Sequence, residues 1–268
     1  MRRQIPALVS RRRALQLAAG AGLAAVVESC ATTQPVTAPS VTNSRDPATT
    51  APSNNGSAPS PPPEPTVSPT TRSAGVLLCR DSWGARPARP GGKPHTLTRM
   101  TLHHSGVVLG DNRRAPGRLR QHQRYHQDQL GWIDIAYHVS VDRNGDIYEL
   151  RTPALAGDTA TDYDTTGHFL VLCEGDFDVE EVTEAQLNGA ALVFAWAAQT
   201  FGLASDTLAS HRDVAPTTSC PGANLYSHLR SGDLKRRVDD LLATGSVGLQ
   251  KVCGPDAAGV VAGIEADH

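Results

Sequence analysis

Two stretches of the chain carry side chains suited to holding a metal ion. One is Thr101-Leu102-His103-His104-Ser105-Gly106; the other, much later, runs Ser210-His211-Arg212-Asp213-Val214-Ala215-Pro216-Thr217-Thr218-Ser219-Cys220-Pro221-Gly222. Imidazoles and a thiolate are good zinc donors, and three protein ligands leave a position for water, whereas structural sites usually close with four. The donor types therefore predict hydrolytic zinc chemistry. With ten His and five Cys in the chain, no single residue carries that reading, so the local contexts must.

His103 ends the apolar, β-compatible run Met100-Thr101-Leu102. Neighbouring strand side chains point to opposite faces, so only one of His103 and His104 faces a given site. His211 and Cys220 lie in a Pro-containing loop that enters a short helical stretch from Gly222 to Leu229. A fourth protein ligand, which a structural zinc would need, does not stand out near either. His122 and His126 form a competing pair, four apart on one helical face. The segment His122-Gln123-Arg124-Tyr125-His126 lacks the Glu that follows the first His in zinc proteases, and it reads as a solvated face.

These residues need a scaffold. Strands are predicted near 98–104, 136–142, 146–150 and 168–174, with Asn144-Gly145 supplying a hairpin turn. Helices are predicted near 114–129, 184–202 and 222–244. The second opens at Thr183 with Gln186 three residues on, a capping-box pattern, and Leu187, Ala191, Phe194, Ala198 and Phe201 form its apolar stripe. The mixture predicts an α/β fold, a central mixed β-sheet flanked by helices, over residues 76–246. The tail from 247 to 268 shows no element in sequence.

The blocks Arg80-Asp81-Ser82-Trp83-Gly84-Ala85, Thr101 to Ser105, Gly131-Trp132-Ile133-Asp134-Ile135-Ala136-Tyr137-His138, Gly145-Asp146-Ile147-Tyr148-Glu149, Glu174-Gly175-Asp176-Phe177, and His211 through Gly222 occur in one order. In that order, over residues 78 to 235, the sequence resembles the zinc-dependent N-acetylmuramoyl-L-alanine amidases of the type-2 amidase and peptidoglycan-recognition-protein group, which includes the T7 lysozyme type. The resemblance implies one zinc ion in an open groove, held by His103, His211 and Cys220, with Tyr137 beside the metal-bound water. It gives Thr218 a hydrogen bond to the substrate carbonyl or oxyanion, at a position where the phage enzyme has Lys. Trp132, His104 and Asp158 are candidate substrate contacts. Where some relatives have a Glu on the preceding strand, this chain has Leu172, so no carboxylate is assigned as base. Bound zinc lowers the pKa of its water from near 16 to about 7 and polarises a carbonyl. The implied reaction is hydrolysis of the amide between N-acetylmuramic acid and L-alanine. The rival is a module that binds muropeptides without cleaving them, a state that loss of the ligand Cys marks in this family; Cys220 is present.

The N-terminal thirty residues read as a targeting segment. Ser10-Arg11-Arg12-Arg13-Ala14-Leu15-Gln16 resembles the twin-arginine export motif, and the apolar stretch from Leu17 to Val27 is short for a membrane span. Val26-Val27-Glu28-Ser29-Cys30 resembles a lipoprotein cleavage site, with Cys30 as the lipidated residue. Residues 31–75 are rich in Pro, Ser, Thr and Ala and read as a linker that cannot bury a core. The expectation is an exported cell-envelope protein, secreted or membrane-attached through Cys30, and monomeric. A formal charge of −2 gives no basis for binding nucleic acid, and Arg113, Arg114, Arg118, Arg120 and Arg124 read as a basic helix face. Of the remaining cysteines, Cys79 and Cys253 flank the domain and are a candidate disulfide, while Cys173 lies in an apolar run and reads as a buried thiol.

Overall fold

The run Phe169-Leu170-Val171-Leu172-Cys173 dictates the architecture. Every residue of strand β5 (His168–Cys173) is buried, which requires cover on both faces, as in parallel sheets sandwiched between helices. The computed structural model describes residues 73–266. The export-like segment, Cys30 and the linker up to residue 72 lie outside the described residues, as do 267 and 268.

Strand β5 lies between β2 (Arg99–His104) and β3 (Val139–Val141), parallel to both, and β6 (Leu208–Ser210) extends the parallel set beyond β2. At β3 the direction reverses through an antiparallel hairpin to β4 (Ile147–Glu149). Gly145 turns this hairpin with φ +87°, a conformation glycine adopts without cost, and the Asp142 carboxylate accepts the N–H groups of Asn144 and Asp146. Strand β1 (Ser73–Leu78) then runs parallel to β4, and β7 (Val247–Val252) parallel to β1. The result is a seven-stranded mixed sheet of order β6-β2-β5-β3-β4-β1-β7.

Helix α1 (Ala115–Asp128) covers one face, its Leu119 grouped with Leu172, Ile135 and Tyr148. Helix α2 (Glu184–Phe201) covers the other, packing Leu187, Ala191 and Phe194 against Phe169 and Val171, so its apolar stripe is core. The Thr183 hydroxyl accepts the Gln186 N–H, but the Gln186 side chain does not complete the capping box. It is fully buried and donates instead to the Val141 and Glu174 carbonyls, tying the helix start to the ends of β3 and β5.

Three expectations change. The helix predicted over 222–244 is two, α4 (Ala223–Arg230) and α5 (Asp233–Ala243), because Gly232 adopts φ +78° between them. The linker expected to end at 75 ends earlier, since residues 73–75 belong to β1. The tail without predicted elements forms β7 and helix α6 (Gly254–Ala266). Its Gly- and Ala-rich composition gives no amphipathic pattern to read; the helix is held by Ala257 and Val261 packing with Leu78 and Trp83. Cys79 and Cys253 are disulfide-bonded at the base of this addition. No helix among the described residues is long and apolar enough to cross a membrane.

Candidate metal centre

His103 sits near the end of β2, paired in register with Leu172 of β5. His211 opens the short helix α3 (His211–Val214), directly after β6. That start is fixed by a cap in which the Ser210 N–H and hydroxyl both donate to the Asp213 carboxylate, at 2.8 and 2.7 Å. The chain then loops back: the Arg212 N–H donates to the Cys220 carbonyl at 2.9 Å, and the Thr218 hydroxyl accepts the Cys220 N–H at 3.1 Å. Gly222 closes the loop at φ +84°, so near to the chain at Phe177 that a Cβ there would meet the Phe177 carbonyl carbon at 2.5 Å.

This folding brings three sequence-distant donors together. One ligand atom each from His103, His211 and Cys220 lies within 4.8 Å of the others. Cys220 Sγ is 3.7 Å from His103 Nδ1 and accepts the His104 backbone N–H at 3.3 Å. Burial, reinforced by the neighbouring imidazoles, holds the His103 pKa well below its ordinary value, and burial lowers that of His211 to about 4. Both rings are therefore neutral and keep a lone pair. His103 Nε2 is buried without a hydrogen-bond partner. Burial pushes the Cys220 thiol up to about 12, and a coordinated cation is what would release that proton. Two neutral imidazoles and a sheltered thiol are a donor set that fits zinc with one position open.

The Tyr137 ring is 5.1 Å from that of His103. Burial, and after it the nearby Cys220, raises its pKa, so the phenol keeps its proton and acts as a donor. Trp132 and Asp158 line one pocket together with Lys93, Arg151 and Thr165. Asp158 is ion-paired with the buried Arg151, whose guanidinium also donates to the carbonyls of Asp134, Ile135 and Ala156. Arg151 thus fixes the groove wall from behind, a role that an isolated Arg before a Thr-Pro step does not announce.

Two expectations are corrected here. His104 does not line the groove: strand alternation sends it toward Phe177, whose N–H its Nδ1 accepts at 3.3 Å, and the ring is buried. The His122–His126 face is not solvated but turned inward. His126 Nδ1 accepts the Ala136 N–H at 3.2 Å and its ring lies 4.8 Å from Trp132, while His122 Nδ1 lies 3.7 Å from Glu174 Oε1.

Glu174 is a residue that the sequence places in a family block without assigning it a role. It follows the last residue of β5 and is fully buried. The Ser105 and Ser140 hydroxyls lie close, yet neither carboxyl oxygen has a hydrogen bond. Burial pushes its carboxyl up to about 8. An acidic residue directly following the apolar, doubly covered run Phe169–Cys173 is the signal that could have singled it out.

Residues 93–223 match the family model for N-acetylmuramoyl-L-alanine amidase. Among individual relatives, peptidoglycan-recognition protein SC2 of Drosophila melanogaster is 27% identical over 58% of this chain and 85% of its own length. The N-acetylmuramoyl-L-alanine amidase of Homo sapiens is 33% identical over 57% of this chain, but that stretch is only 27% of the human protein. The fold agrees with the solved ectodomain complex of peptidoglycan recognition proteins LCa and LCx bound to tracheal cytotoxin. There the TM-score is 0.53 at 26% identity, covering 58% of this chain and 95% of that one.

Proposed function

We propose that this protein is an exported zinc amidase that hydrolyses the bond between N-acetylmuramic acid and L-alanine in bacterial peptidoglycan. The observation that carries the reading is the convergence of His103, His211 and Cys220 beside the protonated Tyr137. When bound, zinc supplies an activated water and a polarised scissile carbonyl. The chain's own residues do the rest. Tyr137 donates a hydrogen bond to the oxygen on which charge develops, a contribution that preorganised donors make without reorganisation. Thr218 holds the Cys220 loop through the Cys220 N–H. The pocket of Trp132, Arg151 and Asp158 receives the muropeptide. Export through the twin-arginine-like segment and attachment at Cys30 belong to the same reading, since the substrate lies outside the cytoplasm.

The relative bound to tracheal cytotoxin supports a muropeptide ligand, and the retained Cys220 favours cleavage over binding alone. The test is digestion of purified peptidoglycan by the zinc-loaded protein and by Cys220→Ala, with mass spectrometry of released stem peptides. Release of peptides beginning with L-alanine by the parent alone establishes the amidase. A parent that takes up zinc and binds wall fragments but releases nothing is a recognition module.

A further inference from the structure

A second layer stands behind one of the three donors. His211 Nε2 lies 2.6 Å from Thr161 Oγ1. Thr161 Oγ1 lies 2.8 Å from Thr159 Oγ1, which also accepts the Thr161 N–H at 3.1 Å. The Tyr163 ring packs 5.2 Å from that of His211, and the Thr165 hydroxyl closes the base of the loop on the Gly157 carbonyl at 2.7 Å. His211 is thus gripped at its edge by a hydroxyl and on its face by a phenol, both from the segment between β4 and β5.

We infer that Thr161, backed by Thr159, is a positioning residue that holds His211 as the Nε2–H tautomer and so presents Nδ1 as the donor nitrogen. This rests on the zinc reading above. The hydroxyl has a single proton, and two arrangements satisfy the distance to the imidazole. If Thr161 donated to Nε2, the neutral ring would carry its proton on Nδ1 and have no lone pair left for a metal. If Nε2–H donates to Thr161, the threonine's own proton is donated to Thr159 Oγ1, so both the imidazole N–H and the Thr161 hydroxyl have acceptors and Nδ1 keeps its lone pair. Metal-binding imidazoles characteristically donate their second N–H to an oxygen that fixes tautomer and ring orientation. Here a pair of hydroxyls serves, where a carboxylate or backbone carbonyl is the common choice.

Thr161→Val keeps the shape and removes the hydroxyl, whereas Thr161→Ser keeps the hydroxyl and removes the methyl. Zinc affinity is read by competition with a chromophoric chelator, and the His211 tautomer by long-range ¹H–¹⁵N spectra of the metal-free protein. The expected result is an Nε2–H ring in the parent. Zinc affinity should fall by about 10- to 100-fold in the Val variant, with recovery in the Ser variant. Unchanged zinc affinity and an unchanged His211 spectrum in Thr161→Val overturn the inference, because a hydroxyl that only fills space would move neither. A parent that shows the Nε2–H tautomer but takes up no zinc supports the positioning and overturns the metal reading instead.

Discussion

Glu174→Gln isolates the cost of burying one carboxyl. In the unfolded chain this group loses its proton near 4.5, and in the fold it keeps it up to about 8. Between those values the folded state binds more protons, so folding stability is fully present below pH 4.5 and falls as pH rises through the folded value. The slope is about 1.4 kcal/mol per pH unit for one group, and from pH 5 to pH 8 the loss accumulates to about 3 kcal/mol. Glutamine has nearly the same shape and cannot ionise. Urea unfolding of parent and variant at pH 5, 6, 7 and 8 should give stabilities that diverge by that amount in favour of glutamine as pH rises. Other titrating groups are common to both proteins and cancel in the difference. Parallel stability curves across this range would refute the reasoning, because they would mean that Glu174 ionises in the fold as easily as in water.

The opposite sign holds for His138, whose Nδ1 accepts the Leu170 N–H and whose Nε2 donates to the Leu155 carbonyl. Burial lowers its pKa to about 3, so stability present above 6.5 is lost on acidification, by about 2 kcal/mol from this residue between pH 6.5 and 4.5, measurable by urea titration. Gly222→Ala forces a Cβ into the Phe177 backbone at a positive φ; it should lower stability by about 1–3 kcal/mol and abolish zinc uptake in the chelator assay without altering a donor. Removing the Cys79–Cys253 bridge with paired serines should cost about 2–5 kcal/mol and speed hydrogen exchange in residues 247–266, while zinc uptake persists.

The sheet centre was legible because short runs rich in apolar, β-compatible residues, Phe169 to Cys173 and Met100 to Leu102, mark its strands. Helix α2 was legible from its stripe and from Thr183. Strand β6 was not, since Leu208-Ala209-Ser210 is too short to show a period. Strand β1 was hidden by the polar, small-residue segment that precedes it, and β7 and α6 because their partners lie far away in sequence. At the metal centre, the motif blocks nominate residues that the structure does bring together. Thr161 and Arg151 escaped because the fold alone supplies their partners: Thr161 meets His211 from a distant segment, and Arg151 gathers the Asp134, Ile135 and Ala156 carbonyls together with Asp158, and no local spacing encodes such contacts. His104 shows the reverse case, where a nominated neighbour is removed by the alternation of the strand that carries it.

The pairing of β1 with β7 has a mechanical consequence. The chain enters the domain through β1, a strand flanked on both sides, with six residue pairs to β7 and two to β4. Tension applied from the N-terminal side of a domain held fixed would act along β1, loading both ladders in shear, so that their hydrogen bonds must fail together and not one by one. At the far end of β1 the Cys79–Cys253 bond passes any remaining load into the C-terminal segment. The strand and helix of the tail that showed no element in sequence therefore form the clamp through which a pulled domain would keep its sheet, and with it the strand that carries His103, in register.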